Sequence, residues 1–158
     1  MKAVTVKQLR QELSHYSQKE LIDICLRLSR FKKENKELLT YLLFEAENEQ
    51  AYIETVKEEI DKQFTDVNTK SYYLIKKGIR KVLTNIRKYA RYSPHKSTEV
   101  ELLLYFCKKT KAFRPSYKRS VRLVNLYNTQ IEGLQKKISL LHEDLQYDYG
   151  LELNELTD

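Results

Sequence analysis

Apolar residues recur along this chain at steps of three and four, the spacing of one helix face, and seldom at the step of two that a strand requires. Leu9 and Leu13 mark a short first helix. Leu21, Ile24, Cys25 and Leu28 form the stripe of a second. Ser17 and Glu20 open that helix as a capping box, in which the hydroxyl accepts from the Glu20 amide and the carboxylate accepts from the Ser17 amide. Residues 31–35 read as a turn. A third helix is expected over about residues 37–64, with Leu39, Leu42, Leu43, Ala46, Ile53, Val56, Ile60 and Phe64 along one face.

Residues 66–69 interrupt the repeat with polar cap formers. A fourth helix follows over about residues 70–92 and buries Ile75, Ile79, Val82, Leu83, Ile86 and Ala90. Ser93 stops it, because the residue before a proline is pushed out of helical geometry. Thr98 and Glu101 give a second capping box, opening a fifth helix that ends near Ala112. Pro115 suits the first turn of a last helix. Its Val124, Tyr127, Ile131, Leu134, Ile138, Leu141 and Leu145 keep heptad spacing, and that seam can wrap a helix of the same chain or of a second subunit. Gly150 is expected to end this helix and the acidic remainder to fray. The fold class is therefore all-α: about six helices, as stacked helical hairpins or an irregular helical bundle. Residues 1–150 form a single domain and residues 151–158 an acidic C-terminal tail.

Composition narrows the classes further. A chain of 158 residues buries roughly 68–70% of its unfolded surface and needs no metal or disulfide staple. Three glycines and two prolines are too few for the turns of a sandwich, a barrel or a Rossmann-type fold. No apolar run reaches the roughly 18 residues of a membrane span, so no membrane partner is expected. Two cysteines, Cys25 and Cys107, lie in apolar helical stretches and read as small buried hydrophobes in a reducing compartment. Residues 1–6 lack the apolar core of a signal peptide, and a cytoplasmic location is expected. At an offset of 82, Leu21, Cys25, Phe31 and Lys36 match Leu103, Cys107, Phe113 and Lys118, which would suit a chain built from repeated hairpins.

Charge changes the picture most. The formal charge is +7, but it is segregated. Residues 1–33 carry +5, residues 34–66 carry −7, residues 67–122 carry +14 and residues 123–158 carry −5. On the fourth helix, Lys76, Lys77, Arg80, Lys81, Arg87, Lys88 and Arg91 lie away from the apolar stripe. Arg114, Lys118, Arg119 and Arg122 follow around the turn into the last helix. Tyr72, Tyr73, Tyr89 and Tyr92 flank the basic helix, with Tyr105 and Tyr117 on its neighbours. Cations neutralise phosphates and release counterions, and rings can stack on exposed bases. These eleven basic residues are therefore candidate phosphate contacts for nucleic acid. Two structural alternatives compete. The acidic third helix can cover the lysines with Glu45, Glu47, Glu54, Glu58 and Glu59, and the tyrosines can sit at the core rim.

Near the N-terminus, the stretch Thr5-Val6-Lys7-Gln8-Leu9-Arg10-Gln11-Glu12-Leu13, followed by Glu20-Leu21-Ile22 and Leu26, resembles the two-helix SAP module. That resemblance implies DNA binding; it covers about residues 5–28 and lacks the glycine of the module's connecting loop.

Candidate catalytic chemistry is sparse. His15, His95 and His142 lie in different segments without ligand spacing, and the cysteines have no CxxC partner, so no metal site or cofactor is expected. Phosphate-binding glycine loops and a GxSxG elbow are missing. Glu45, Glu49 and Glu54 could line a bundle interior, but a di-iron site needs two Glu-x-x-His motifs and only Glu12–His15 occurs. The expectation is a non-enzymatic helical binding module with no evident small-molecule substrate. Its basic surface takes an anionic partner, foremost nucleic acid. The alternative is a protein-interaction scaffold or homo-oligomer that uses the heptad seam.

Overall fold

The computed structural model describes all 158 residues and is all-helical, with eight α-helices and no strands. In chain order these are α1 (Val6–Leu13), α2 (Gln18–Phe31), α3 (Lys33–Thr40), a π-helical turn (Tyr41–Glu45), α4 (Glu49–Thr65), α5 (Tyr72–Tyr92), α6 (Lys96–Ala112), a 3-10 turn (Tyr117–Arg119), α7 (Val121–Ile138) and α8 (Glu143–Thr157). The chain divides into two units, Met1–Phe44 and Glu45–Asp158, where one domain over residues 1–150 is the sequence expectation. The expected helix over 37–64 is broken. Asn48 leaves helical geometry, and its side chain accepts from the Ala51 amide at 3.1 Å, starting α4 afresh.

In the first unit both N-termini are fixed by reciprocal caps. Thr5 pairs with Gln8 on α1, and Ser17 with Glu20 on α2, as the spacing predicts. The turn between α2 and α3 is held by Asn35, whose amide donates to the Leu28 carbonyl at 2.8 Å. No residue of α1, α2 or α3 is buried. The apolar side chains of Leu9, Ile22, Leu26, Leu28 and Phe31 lie exposed. Cys25 is exposed as well, which corrects the expectation of a buried thiol.

The second unit is built around α6. Val100, Leu102, Leu103, Leu104, Phe106 and Cys107 are all buried, so this helix is apolar over most of its circumference, with Lys108 and Ala112 on the side left to water. It contacts α4, α5, α7 and α8, with α4 beside α5 and α7 beside α8. The stripes read from sequence face it: Ile53, Val56, Ile60 and Phe64 from α4, Ile75 to Ala90 from α5, and Tyr127 to Ile138 from α7, which the buried Leu123 joins. Each such side chain contributes about 1.5–3 kcal/mol by leaving water. Phe64 meets Phe106 and Phe113 at ring-centroid distances of 5.9 and 6.0 Å.

Three boundaries differ from the sequence reading. Thr98 does not cap α6: it is fully buried and its hydroxyl donates to Glu49 on α4, while Glu101 accepts from Lys57. The helix instead begins at Lys96. Pro115 lies in a connector, and α7 starts at Val121 behind the Ser120 cap. The heptad run ends at Ile138, because the chain turns before Glu143; on α7 its Tyr127, Ile131, Leu134 and Ile138 are buried inside the unit and Val124 is half-buried. Beyond the turn, α8 runs through Gly150 to Thr157 rather than fraying. Leu153 and Leu156 are buried, Tyr127 Oη donates to the Leu156 carbonyl at 2.9 Å, and Lys111 Nζ donates to that of Glu155 at 2.8 Å. Two buried leucines outweigh the roughly 1 kcal/mol that a mid-helix glycine costs.

Candidate nucleic-acid interface

The cationic surface depends on where the carboxylates of α4 go. Asp61 and Glu54 are engaged on the side of α6, while Glu58 and Glu59 lie beside Tyr89 of α5. Asp61 takes Lys109 at 3.0 Å and accepts from Tyr105 Oη at 2.8 Å, while Glu54 and Glu101 share Lys57 at 3.2 and 2.9 Å. Burial raises the Asp61 pKa, but the bonds from Lys109 and Tyr105 outweigh it and hold the carboxyl below its usual range. Burial lowers the pKa of Lys57, and the bonds to Glu101 and Glu54 more than reverse that. Between α4 and α5, Asn85 donates to Gln63 at 2.9 Å, and Tyr52 Oη to the Tyr89 carbonyl at 2.7 Å.

The cations of α5 and α7 are consequently left facing water. Lys77, Arg80, Lys81, Arg87, Arg91, Lys118, Arg119 and Arg122 are exposed and Lys76 is half-buried; none of the nine is in an ion pair with a carboxylate. Lys88 is half-buried with its ammonium 5.0 Å from the centre of the Tyr89 ring. Arg114 is exposed, but its guanidinium donates to the carbonyls of Lys111, Ala112 and Phe113 and so caps the end of α6.

Short connections make α5 antiparallel to α6 and α6 antiparallel to α7, so α5 and α7 run parallel. Both lie on α6 and leave a groove of about 370 Å³ between them. Lys76, Arg80 and Arg87 line one wall, and Arg122, Asn125, Thr129 and Gln130 the other. At one end Tyr72 Oη donates to the Ser116 carbonyl at 3.0 Å, which brings the starts of α5 and α7 together. Neither helix has an acidic residue in its first turn, so both dipoles add positive potential where Lys118, Arg119 and Arg122 stand. At the other end Arg87 Nη2 donates to Gln130 Oε1 at 3.2 Å. The structure thus gathers Lys76, Arg80, Arg87 and Arg122 into one groove. Lys77, Lys81 and Arg91 lie outside its lining.

Most of the tyrosines are structural. Tyr105 is fixed to Asp61, and its pKa is pushed up to about 12 by burial and by that carboxylate. Tyr117 and Tyr127 are buried together at 4.7 Å, and Tyr89 meets Tyr92 edge-on at 6.2 Å. Tyr73 is the exception on α5, 66% exposed. Burial alone pushes the Cys107 thiol up to about 12, so it is inert. Asn125, Thr129 and Gln130 lie outside the candidates read from sequence. Their only signal is the i, i+4 spacing of 125 with 129 and of 126 with 130, which places them on one side of α7.

No three His, Cys, Asp or Glu side chains group as a metal site would require, and no helix is long and apolar enough to cross a membrane. Both helices of the SAP likeness form, as α1 and α2, but they make little close contact with each other. What the fold and the groove define is an all-helical protein with an open cationic cleft. No family model, curated protein or solved structure matches this chain.

Proposed function

We propose that the chain is a non-enzymatic binding module whose α5–α7 face takes the phosphate backbone of a nucleic acid. One observation carries the reading: nine of the eleven candidate cations face outward without a carboxylate partner, and four of them converge on one groove from two helices. Lys and Arg so placed exchange condensed counterions for phosphate contacts. Lys76, Arg80, Arg87 and Arg122 grip the backbone inside the groove. Lys77, Lys81, Arg91, Lys118 and Arg119 extend the contact around it, and Arg114 and Lys88 add charge while serving packing. Base-specific reading is not part of the proposal.

Titration of the full chain with a mixed-sequence oligonucleotide over a range of salt tests this. With about six to eight phosphates neutralised, log affinity falls against log salt with a slope of about −5 to −7 on duplex DNA or about −4 to −6 on a single strand. A flat slope, or no binding at about 50 mM salt, refutes the reading.

A second reading, self-association, is favoured by the first unit, whose α1–α3 expose Leu9, Ile22, Leu26, Leu28 and Phe31 without burying any residue. Light scattering over a concentration series tests it. A mass that stays monomeric throughout rejects it, and a dimer that Leu26→Glu dissociates supports it.

A further inference from the structure

We infer that the preferred ligand is a single strand rather than a duplex, lying along the groove with a base stacked on Tyr73. This rests on the nucleic-acid reading above and deepens it. The cations that converge are set in a concave cleft between parallel helices, with Leu83 and Leu126 among its lining. A duplex presents its phosphates on a convex surface and reaches only the rims of such a cleft. A single strand is flexible enough to lay its backbone along the floor.

The second observation is a row on α5. At 3.6 residues per turn, positions 73, 76, 80, 87 and 91 fall within an arc of about 60° and span about 27 Å of helix axis. The row therefore reads Tyr73, Lys76, Arg80, Arg87, Arg91, an aromatic ring followed by four cations. Tyr73 forms no hydrogen bond, meets no other ring and is 66% exposed. The neighbouring Tyr72 is tied to Ser116 and is not available in this way. Tyr73 stands one turn before Lys76, at the end where the starts of α5 and α7 meet and both helix dipoles add positive potential. A strand whose phosphates occupy Lys76 and Arg80 has its next base within reach of this ring. Stacking on an aromatic face needs no particular base.

Fluorescence anisotropy of the full chain at about 50 mM salt decides it, with a labelled single-stranded DNA longer than the 4–16 nucleotides of typical sites and the same sequence as a duplex. The single strand is expected to bind about tenfold or more tighter than the duplex. Tyr73→Ala lowers single-strand affinity by about fivefold to 150-fold and leaves duplex affinity unchanged; Tyr73→Phe restores it. Duplex binding as tight as single-strand binding, or a strand indifferent to Tyr73→Ala, overturns this inference while nucleic-acid binding stands. Failure of both probes to bind overturns the underlying reading as well.

Discussion

Arg87 on α5 donates from Nη2 to Oε1 of Gln130 on α7, 3.2 Å away, and so joins the two walls of the groove. Gln130 is 7% exposed, and its amide nitrogen also reaches the Leu126 carbonyl at 3.4 Å. The acceptor is thus held by its own helix, and it orients a guanidinium whose outer face is in water.

That arrangement separates a positioning residue from a contacting one. Gln130→Leu keeps the charge of Arg87 but removes its orientation. It is expected to weaken oligonucleotide binding a few-fold while the salt dependence stays the same. Arg87→Gln removes the charge, and the salt slope then falls by about 0.7 on a single strand. Titrations of both variants at several salt concentrations check the difference.

Two helical glycines respond in opposite ways to alanine. A Cβ at Gly78 on α5 would lie 3.0 and 3.1 Å from the methyl carbons of Val67, which is buried in the α4–α5 connection. A Cβ at Gly133 on α7 meets nothing within 4 Å. Gly133→Ala therefore gains most of the roughly 1 kcal/mol helix preference of alanine. Gly78→Ala loses that gain to crowding and recovers it when Val67→Ala makes room. Urea denaturation midpoints of the three single variants, Gly133→Ala, Gly78→Ala and Val67→Ala, and of the Gly78→Ala/Val67→Ala double variant check this.

Alkaline pH loosens the bundle through groups that favour their neutral forms. Burial and Asp61 push Tyr105 up to about 12 from 10.0, burial and Glu101 push Tyr149 up to about 12 from 10.0, and burial pushes Cys107 up to about 12 from 9.0. A raised pKa in the folded state gives stability that is complete below the unfolded value and is lost as pH climbs to the folded one. The urea midpoint is therefore expected to hold up to about pH 9 and to fall between about pH 9 and 12. Tyr105→Phe reduces the part of that fall above about pH 10. Asp61 acts in the opposite window: its lowered pKa gives stability that is lost as pH drops below its usual 3.8.

The sequence pattern identifies α5 almost to the residue, because its apolar and cationic positions obey one period without interruption. The breaks inside the expected 37–64 and 115–150 helices are hidden by that same period. Ala46 and Ile53 stay in phase across the Asn48 cap, and Ile138, Leu141 and Leu145 stay in phase across the turn before Glu143. The local signals were Asn48, and Glu143 with Asp144 in a helix's first turn. Read as a helix in an α-bundle, the α7 seam belongs to the chain's own core, where the structure places it. The basic face was legible as a charge imbalance. The groove was not, because Gln130 and Asn125 acquire a role only when α6 sets α7 beside α5. The fate of the tyrosines also required tertiary partners, namely Asp61 for Tyr105 and Ser116 for Tyr72.

Salt-dependent binding by two quadruple variants tests the central claim most directly. One replaces Lys76, Arg80, Arg87 and Arg122 by glutamine; the other replaces four exposed lysines elsewhere in the same unit, Lys62, Lys96, Lys108 and Lys136. The account predicts that the groove variant loses about 3 from the salt slope on a single strand, at about 0.7 per phosphate contact, while the control keeps the native slope. Equal losses in both variants, or native binding by the groove variant, would contradict it.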